Sequence, residues 1–465
     1  GNKTTYAYDG DGNVITSTTP DGAITRYTYD YAGNQTSKTD PKGNQTRYVY
    51  DGRNRLISVV NALGEAYTYR YDNADRQTEQ IDPAGKGILY TYNVRGDLAT
   101  RNYLGEEAQE TYRYTAKGNL AEKISRNGVV TTYTYDGFGR LLTERAGTDQ
   151  KTYTYDKAGN LLTATANGVT TTRTYDAEGR VTSKTVDGIG TMRYLYDLDP
   201  RDGEVSEQSI APDGVTKETR YDKAGRIAFV DSSDGTSGSE SYYKNGSRKA
   251  NSTDRGTQEY DYDAVGRVIR LIHKDTNGRE TEVYSYVYDA NGNLTEEESS
   301  RGKIQYTYDA LDRLISVIEP EGKITWYTYD ASGNRATKKE WDAGRTIQTS
   351  YTYDTANLLI KQESDDGSTI LYTYDENGNL IQEETTRRET QEESLALFSY
   401  GESEAITGSA IDTKVPDFFP KVQETVTGST IIPDTPSLFP GVQETITGST
   451  IQPELPTLVP EDQET

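Results

Sequence analysis

A formal charge of -24 on 465 residues argues against nucleic acid as a partner, because phosphate contacts rest on Lys and Arg. The absence of cysteine excludes a disulfide scaffold and any thiolate site, and no apolar stretch reaches the length of about 18 residues that a membrane helix needs. With 39 Tyr, 43 Gly and a single Met, the composition favours an all-β chain whose buried area comes from aromatic rings rather than aliphatic side chains.

In chain order, the first 375 residues return eighteen times to one phrase, an extended aromatic run closed by Tyr-Asp and a turn. Fifteen copies end in a true Tyr-Asp, from Tyr8-Asp9 to Tyr374-Asp375, and three more, at Tyr92, Tyr114 and Tyr243, keep the phasing without the Asp. A spacing mostly of 20 to 22 residues means a structure built by stacking like units. The opening Gly1-Asn2-Lys3-Thr4-Thr5-Tyr6 lines up with Gly43-Asn44-Gln45-Thr46-Arg47-Tyr48 inside a unit, so the chain reads as a piece of a longer array.

One unit shows the local logic. Thr131 to Tyr135 alternates Thr and Tyr, which puts Tyr133 and Tyr135 on one face of a strand. Asp136-Gly137-Phe138-Gly139 then fits a type I turn followed by a left-handed residue, with the Asp carboxylate accepting amides of its own turn. The same reading assigns structural turn roles to Asp9 and Gly12, Asp30 and Gly33, Asp136 and Gly139, Asp156 and Gly159, Asp176 and Gly179, and Asp375 and Gly378. At the third position after the Asp, Asn54, Asp75, Asp312 and Asn357 replace Gly, and these residue types best tolerate positive φ. Pro200 and Ser247 break the pattern, which predicts distorted turns there. A second turn, as at Asp21-Gly22 or Asn127-Gly128, closes each unit and makes two strands per repeat. Roughly 36 strands cannot lie flat, so the meander is expected to coil into a spiral or cocoon-like shell.

The phrase Tyr-x-Tyr-Asp-x-x-Gly-Arg/Asn-Leu, seen at Tyr133 to Leu141, Tyr153 to Leu161 and Tyr372 to Leu380, resembles the tyrosine-aspartate repeats of the Rhs and teneurin family. The resemblance covers residues 1–385 and implies a β-strip wound into a hollow cocoon. In bacterial members such a shell encloses a toxic C-terminal domain or a cytotoxic polypeptide, and in animal members it belongs to an adhesion receptor. No segment ending in Asp-Pro-x-Gly with aspartyl self-cleavage follows Tyr374-Asp375 here, and Ile81 to Gly85 and Leu198 to Arg201 read as ordinary turns.

The tail differs. Residues 386–405 form a charged linker, with a short helix considered over Thr385 to Phe398, and residues 406–465 are three 20-residue Thr/Pro-rich acidic repeats. From Ile381 onward 16 acidic residues face 4 basic ones, and the prolines fit a solvated, low-order stalk.

Nothing in the pattern supports catalysis, a cofactor or a metal. His273 is the single histidine and sits in strand-like sequence, and Asp9-Gly10-Asp11-Gly12-Asn13 lacks the Gly and Glu of a calcium loop, with Val14 and Pro20 in their places. Tyr133, Tyr135, Tyr153, Tyr155, Tyr306, Tyr308, Tyr327, Tyr329, Tyr372 and Tyr374 are expected to line an inner face with their hydroxyls wet. Arg47, Arg113, Arg173, Arg193 and Arg220 are expected to stack as cross-strand partners. The functional expectation is a non-enzymatic shell segment of an exported, secreted or cell-surface bacterial protein, enclosing or displaying another polypeptide. The alternative is an extracellular adhesion or carbohydrate-binding module, recognising a cell-surface glycan or protein, on a proline-threonine stalk.

Overall fold

A computed structural model describes residues 2–196 and 205–387. The chain divides into two units, Gly1–Arg387 and Arg388–Thr465, and the first contains all the described residues. The turn after Tyr196, including Pro200, and the three tail repeats lie outside them, as does the proposed helix beyond Arg387. Thr385, Thr386 and Arg387 belong instead to a strand, because they pair with Thr369 and its neighbours at Ser368 and Ile370 in the last hairpin.

The unit is all-β. Its described residues form 36 strands, numbered β1 (Thr5–Tyr8) to β36 (Leu380–Arg387), in one sheet. Each strand pairs antiparallel with its neighbours in sequence, so the topology is an unbroken meander. Strand sequences explain the local choice: Thr, Tyr and Val dominate, and Gly and Asp are confined mainly to the turns.

The hairpins are irregular in one repeated way. In β13 (Val130–Tyr135) and β14 (Leu141–Ala146), Thr134 faces Thr143 but Tyr135 faces Leu141, so Leu142 is an extra residue. The same shift occurs in the other units, as at Tyr155 and Tyr374, except in the hairpin of Tyr196, where Tyr196 faces Glu207 without a shift. Such a bulge increases local twist, and its repetition bends the strip.

The two faces differ. All ten tyrosines expected on one face are half-buried, and the residues between them, such as Thr134, Thr154, Thr307, Thr328 and Thr373, are exposed. On the exposed face hydroxyls pair across strands, with Thr134 and Thr143, Thr154 and Thr163, and Thr307 and Ser316 each 2.6 Å apart. There is hardly any core. Ile272, 6% exposed, is the one buried apolar side chain among the described residues. A sheet this large with a second layer packed against it would bury dozens of side chains. This strip is a single layer.

Candidate functional site

The repeated turn is the chemical unit of the strip. At Asp136, the backbone N–H donates to the Arg140 carbonyl at 3.0 Å and the Gly139 N–H donates to the Asp136 carbonyl at 3.1 Å. The Asp136 carboxylate closes the turn from within: Oδ1 accepts the N–H groups of Phe138 and Arg140 at 2.9 and 3.0 Å, and Oδ2 accepts Arg140 Nε at 2.6 Å. Asp9, Oδ1 of which accepts Asp11 N and Asn13 N, is arranged likewise, as are Asp30, Asp156, Asp176 and Asp375. Where Asn follows in place of Arg, its amide takes the second oxygen, as Asn160 Nδ2 does at 2.9 Å from Asp156 Oδ2. The carboxylates are held below their ordinary pKa. At Asp9, Asp30, Asp156 and Asp375 the amide of the Asn four residues on is the largest cause; at Asp136 and Asp176 burial raises the pKa and the bonds from Arg140 and Arg180 more than reverse it.

The third position after the Asp is left-handed: φ lies between 82° and 101° at Gly12, Gly33, Gly139, Gly159, Gly179 and Gly378. It is 61° at Asn54 and Asp75, 59° at Asp312 and 65° at Asn357. Ser247 does not share that conformation. The turn there starts one residue earlier than the expected phase: Tyr243 stands at the Asp position and Gly246, with φ 93°, takes the left-handed place. Tyr242 is the structural equivalent of the Tyr in Tyr-Asp, so this turn is regular.

Each turn also grips the next hairpin. The guanidinium of Arg140 lies 4.8 Å over the Tyr155 ring, and the Tyr155 hydroxyl donates back to the Leu141 carbonyl at 2.9 Å. Seven such arginines, each bonded through Nε to its own Asp, stack on the next Tyr at 4.4 to 4.9 Å. Fourteen hydroxyls donate back to the carbonyl of the residue that opens the second strand of the preceding hairpin, where the ladder shifts register. The hydroxyls of Tyr135, Tyr155, Tyr308, Tyr329 and Tyr374 are therefore not wet, as the sequence alone implied, but bound to backbone. The stacked arginines are likewise a different set from the expected one: of those five, Arg220 lies over a ring, Phe229, and Arg113 pairs with Glu122. Arg47 and Arg193 are exposed, and Nη1 of Arg173 is buried without a hydrogen-bond partner.

The strip then meets itself. The turn between β2 (Val14–Thr18) and β3 (Ile24–Tyr29) touches the Tyr-Asp turn between β25 (Gly256–Tyr262) and β26 (Val268–Lys274), where Arg267 Nη2 is 2.9 Å from Asp21 Oδ2. Four more rungs keep this offset of 23 strands: Asn291 Nδ2 donates to Asp40 Oδ2 at 2.6 Å, Ser332 Oγ to Asp82 Oδ2 at 2.6 Å, Thr355 Oγ1 to Glu106 Oε1 at 2.5 Å, and Asn127 N to Asn377 Oδ1 at 3.2 Å. One winding is thus 23 strands, about 110 Å of strip at about 4.8 Å per strand. The seam is polar and always joins a second turn to a Tyr-Asp turn.

His273 lies in β26, its ring 5.6 Å from that of Tyr284 and its Nε2 3.5 Å from Gln258 Nε2. No group of three or more His, Cys, Asp or Glu able to hold a metal occurs among the described residues. Among the described residues no helix is long and apolar enough to cross a membrane.

Residues 241–407 match the teneurin YD-shell family model, and residues 8–45, 50–86, 114–152 and 155–191 match the RHS repeat model. No curated protein sequence matches the chain. Among solved structures it is similar to the Tc holotoxin pore of Photorhabdus luminescens, with TM-score 0.67 and 17% identity over 83% of this chain and 24% of that one. The TcdB2-TccC3 structure gives TM-score 0.66 and 16% identity over 83% of this chain and 25% of that one. The version lacking the hypervariable C-terminal region gives the same TM-score of 0.66 and 16% identity, over the same 83% and 25%. The chain spans about a quarter of the length of these structures, and at such identity the likeness concerns the fold.

Proposed function

Because this chain is a tyrosine-aspartate repeat shell protein of the Rhs and teneurin kind, we propose that it is wall material, a non-enzymatic segment that encloses or displays another polypeptide. One observation carries the reading: the described residues form a single-layer strip that meets itself after 23 strands with only one buried apolar side chain, so on this reading the strip surrounds an open space. A perimeter of about 110 Å corresponds to a ring about 35 Å across, which leaves about 25 Å clear once side chains are allowed for. A helix with its side chains needs about 10 to 12 Å. An extended or helical polypeptide fits that space; a folded domain of ordinary size does not.

On this reading the half-buried tyrosine face is the inner wall, carrying Tyr133, Tyr135, Tyr153, Tyr155, Tyr306, Tyr308, Tyr327, Tyr329, Tyr372 and Tyr374, and the Thr ladder faces out. The likeness to bacterial toxin-complex structures supports an exported bacterial protein, secreted or held at the cell surface. The test is a density map with a protection assay. The chain is refolded in the presence of a fluorescent unfolded polypeptide and treated with protease. Retained full-length fluorophore together with an open lumen supports the reading, and a filled interior or complete digestion overturns it.

A further inference from the structure

Charge interrupts the tyrosine face at one place. The position two residues before the Tyr of each Tyr-Asp, held by Tyr133 and Tyr153 in the preceding units and by Tyr194 in the next, is Arg173 in β17 (Val169–Tyr175). Its spacing from Tyr175 puts it on the same face as the rings. Directly opposite, in β18 (Val181–Val186), stands Lys184, and like charges so placed repel. No neighbour neutralises them. On that face the strand before, β16 (Leu161–Ala166), carries Ala164 and Ala166, and the strand after, β19 (Gly190–Tyr196), sets Met192 beside Lys184. Neither cation has an ion pair among the described residues, and Arg173 Nη1 is buried without a hydrogen-bond partner. Half-buried cations elsewhere on the tyrosine face are occupied: Lys123 by Glu110 at 2.8 Å, Lys151 by Glu144 at 3.0 Å and Lys338 by Glu340 at 3.0 Å. Arg335 lies over the rings of Tyr327 and Tyr351 at 4.8 and 5.8 Å, and Lys38 and Lys217 are exposed to solvent.

We propose that Arg173 and Lys184 form a carboxylate-binding site on the inner wall, and that its occupant is an Asp- and Glu-rich segment of the enclosed polypeptide; the inference rests on the shell reading above. A guanidinium presents a planar fork that matches a carboxylate, and the ammonium adds a second positive charge. Backbones of directly opposed residues lie about 5 Å apart, so one carboxylate can reach both heads. The small side chains of Ala164 and Ala166 leave room for it beside the fork. A carboxylate there relieves the repulsion between the two cations and gives the stranded Nη1 an acceptor. A basic segment would add to the repulsion, and an apolar one would cover the charges without satisfying them. The attraction is local, because the chain's overall charge of -24 repels an acidic segment everywhere else.

Fluorescence anisotropy of the full 465-residue chain with a short labelled Asp/Glu-rich peptide, beside its Asn/Gln counterpart, tests this. The acidic peptide is expected to bind about tenfold more tightly than the neutral one, and Arg173→Tyr or Lys184→Gln to remove that advantage. Arg173→Tyr restores the ring of the neighbouring units, so its denaturant midpoint should equal or exceed the parent's, which a merely structural role for Arg173 would not give. Arg193→Gln, on the other face of β19, should leave binding unchanged. Equal affinity for the two peptides overturns the site, as does an equal loss in Arg193→Gln and Arg173→Tyr. Inorganic phosphate that binds as tightly as the peptide overturns the polypeptide as occupant. Arg173-dependent binding by a chain that fails the protease-protection assay would overturn enclosure and leave the site standing; protection without such binding would do the reverse.

Discussion

Lys42 Nζ lies 2.8 Å from Asp289 Oδ2, across 247 residues of sequence, and 3.8 Å from Asp312 Oδ1. The Lys42 side chain is 29% and the Asp289 side chain 15% exposed, so the pair is partly sheltered. It is the seam's most concentrated charge contact. Lys42→Glu would set three carboxylates together and is expected to cost the seam about 1 to 3 kcal/mol. Small-angle scattering should show a larger radius with an unchanged strand signal. An unaltered radius would mean that the seam holds without this pair.

The seam should also open in acid. Burial raises the Asp289 pKa, but the bonds from Lys42 and Asn293 leave it below its ordinary 3.8; Asp40 is likewise lowered against burial by Asn44 and Asn291, and Asp21 is lowered chiefly by Thr19. A depressed carboxylate stabilises the folded state above its unfolded pKa, and the contribution is lost as pH falls through the folded value. Full closure at neutral pH and expansion only below about pH 4 are expected in scattering. Opening near pH 6 would point to a different group.

The half-buried tyrosines predict a response at the other extreme. Burial first, then neighbouring carboxylates and tyrosines, raises Tyr306 to about 12, and burial likewise raises Tyr353 to about 12. A raised phenol stabilises the fold fully below pH 10, and that stability is lost as pH rises through 12. Phenolate absorbance should lag free tyrosine and then rise together with loss of the strand signal.

A single rung can be removed by Tyr155→Phe, which keeps the ring under Arg140 but leaves the Leu141 carbonyl without its donor. A loss of about 1 kcal/mol is expected in urea unfolding. Tyr155→Ala removes the ring as well and should cost about 3 kcal/mol or more. Equal effects from the two would deny the hydroxyl any role.

The turn position gives a sharper contrast. Gly139 has φ 85°, and Asn occupies the same place at φ 61° in the turn at Asn54. Gly139→Asn should be nearly neutral, while Gly139→Val should cost about 1 to 2 kcal/mol because a branched side chain is strained there. Denaturant midpoints of the two variants decide it.

Much of this architecture was readable from residues alone, for a physical reason. The strand pair and the turn are local, so eighteen copies repeat the same preferences, and Asn54 or Asp75 in place of Gly exposes the left-handed position directly. What joins the copies was harder to read. The destination of the Tyr155 hydroxyl depends on the bulge at Leu142, and a bulge has no residue signature of its own here. Arg140, rather than an arginine ahead of the Tyr, stacks because the Asp136 carboxylate has already fixed its guanidinium. The doublet Tyr242-Tyr243 hid the phase of its unit, although Gly246 was the available clue. The seam left no trace in sequence, since its partners stand some 250 residues apart and depend on accumulated twist.

The seam offset of 23 is odd, so a Tyr-Asp turn never meets its own kind across it. Successive windings consequently all point the same way, and the strip has a head and a tail. Any opening at one end is rimmed by aspartate-clamped turns with Tyr31, Val94 and Phe138 at their tips, and at the other by the variable turns that carry Asp213, Asp254 and Asp366. A polypeptide enclosed on the proposed reading would therefore meet chemically unlike turns at the two rims of the strip.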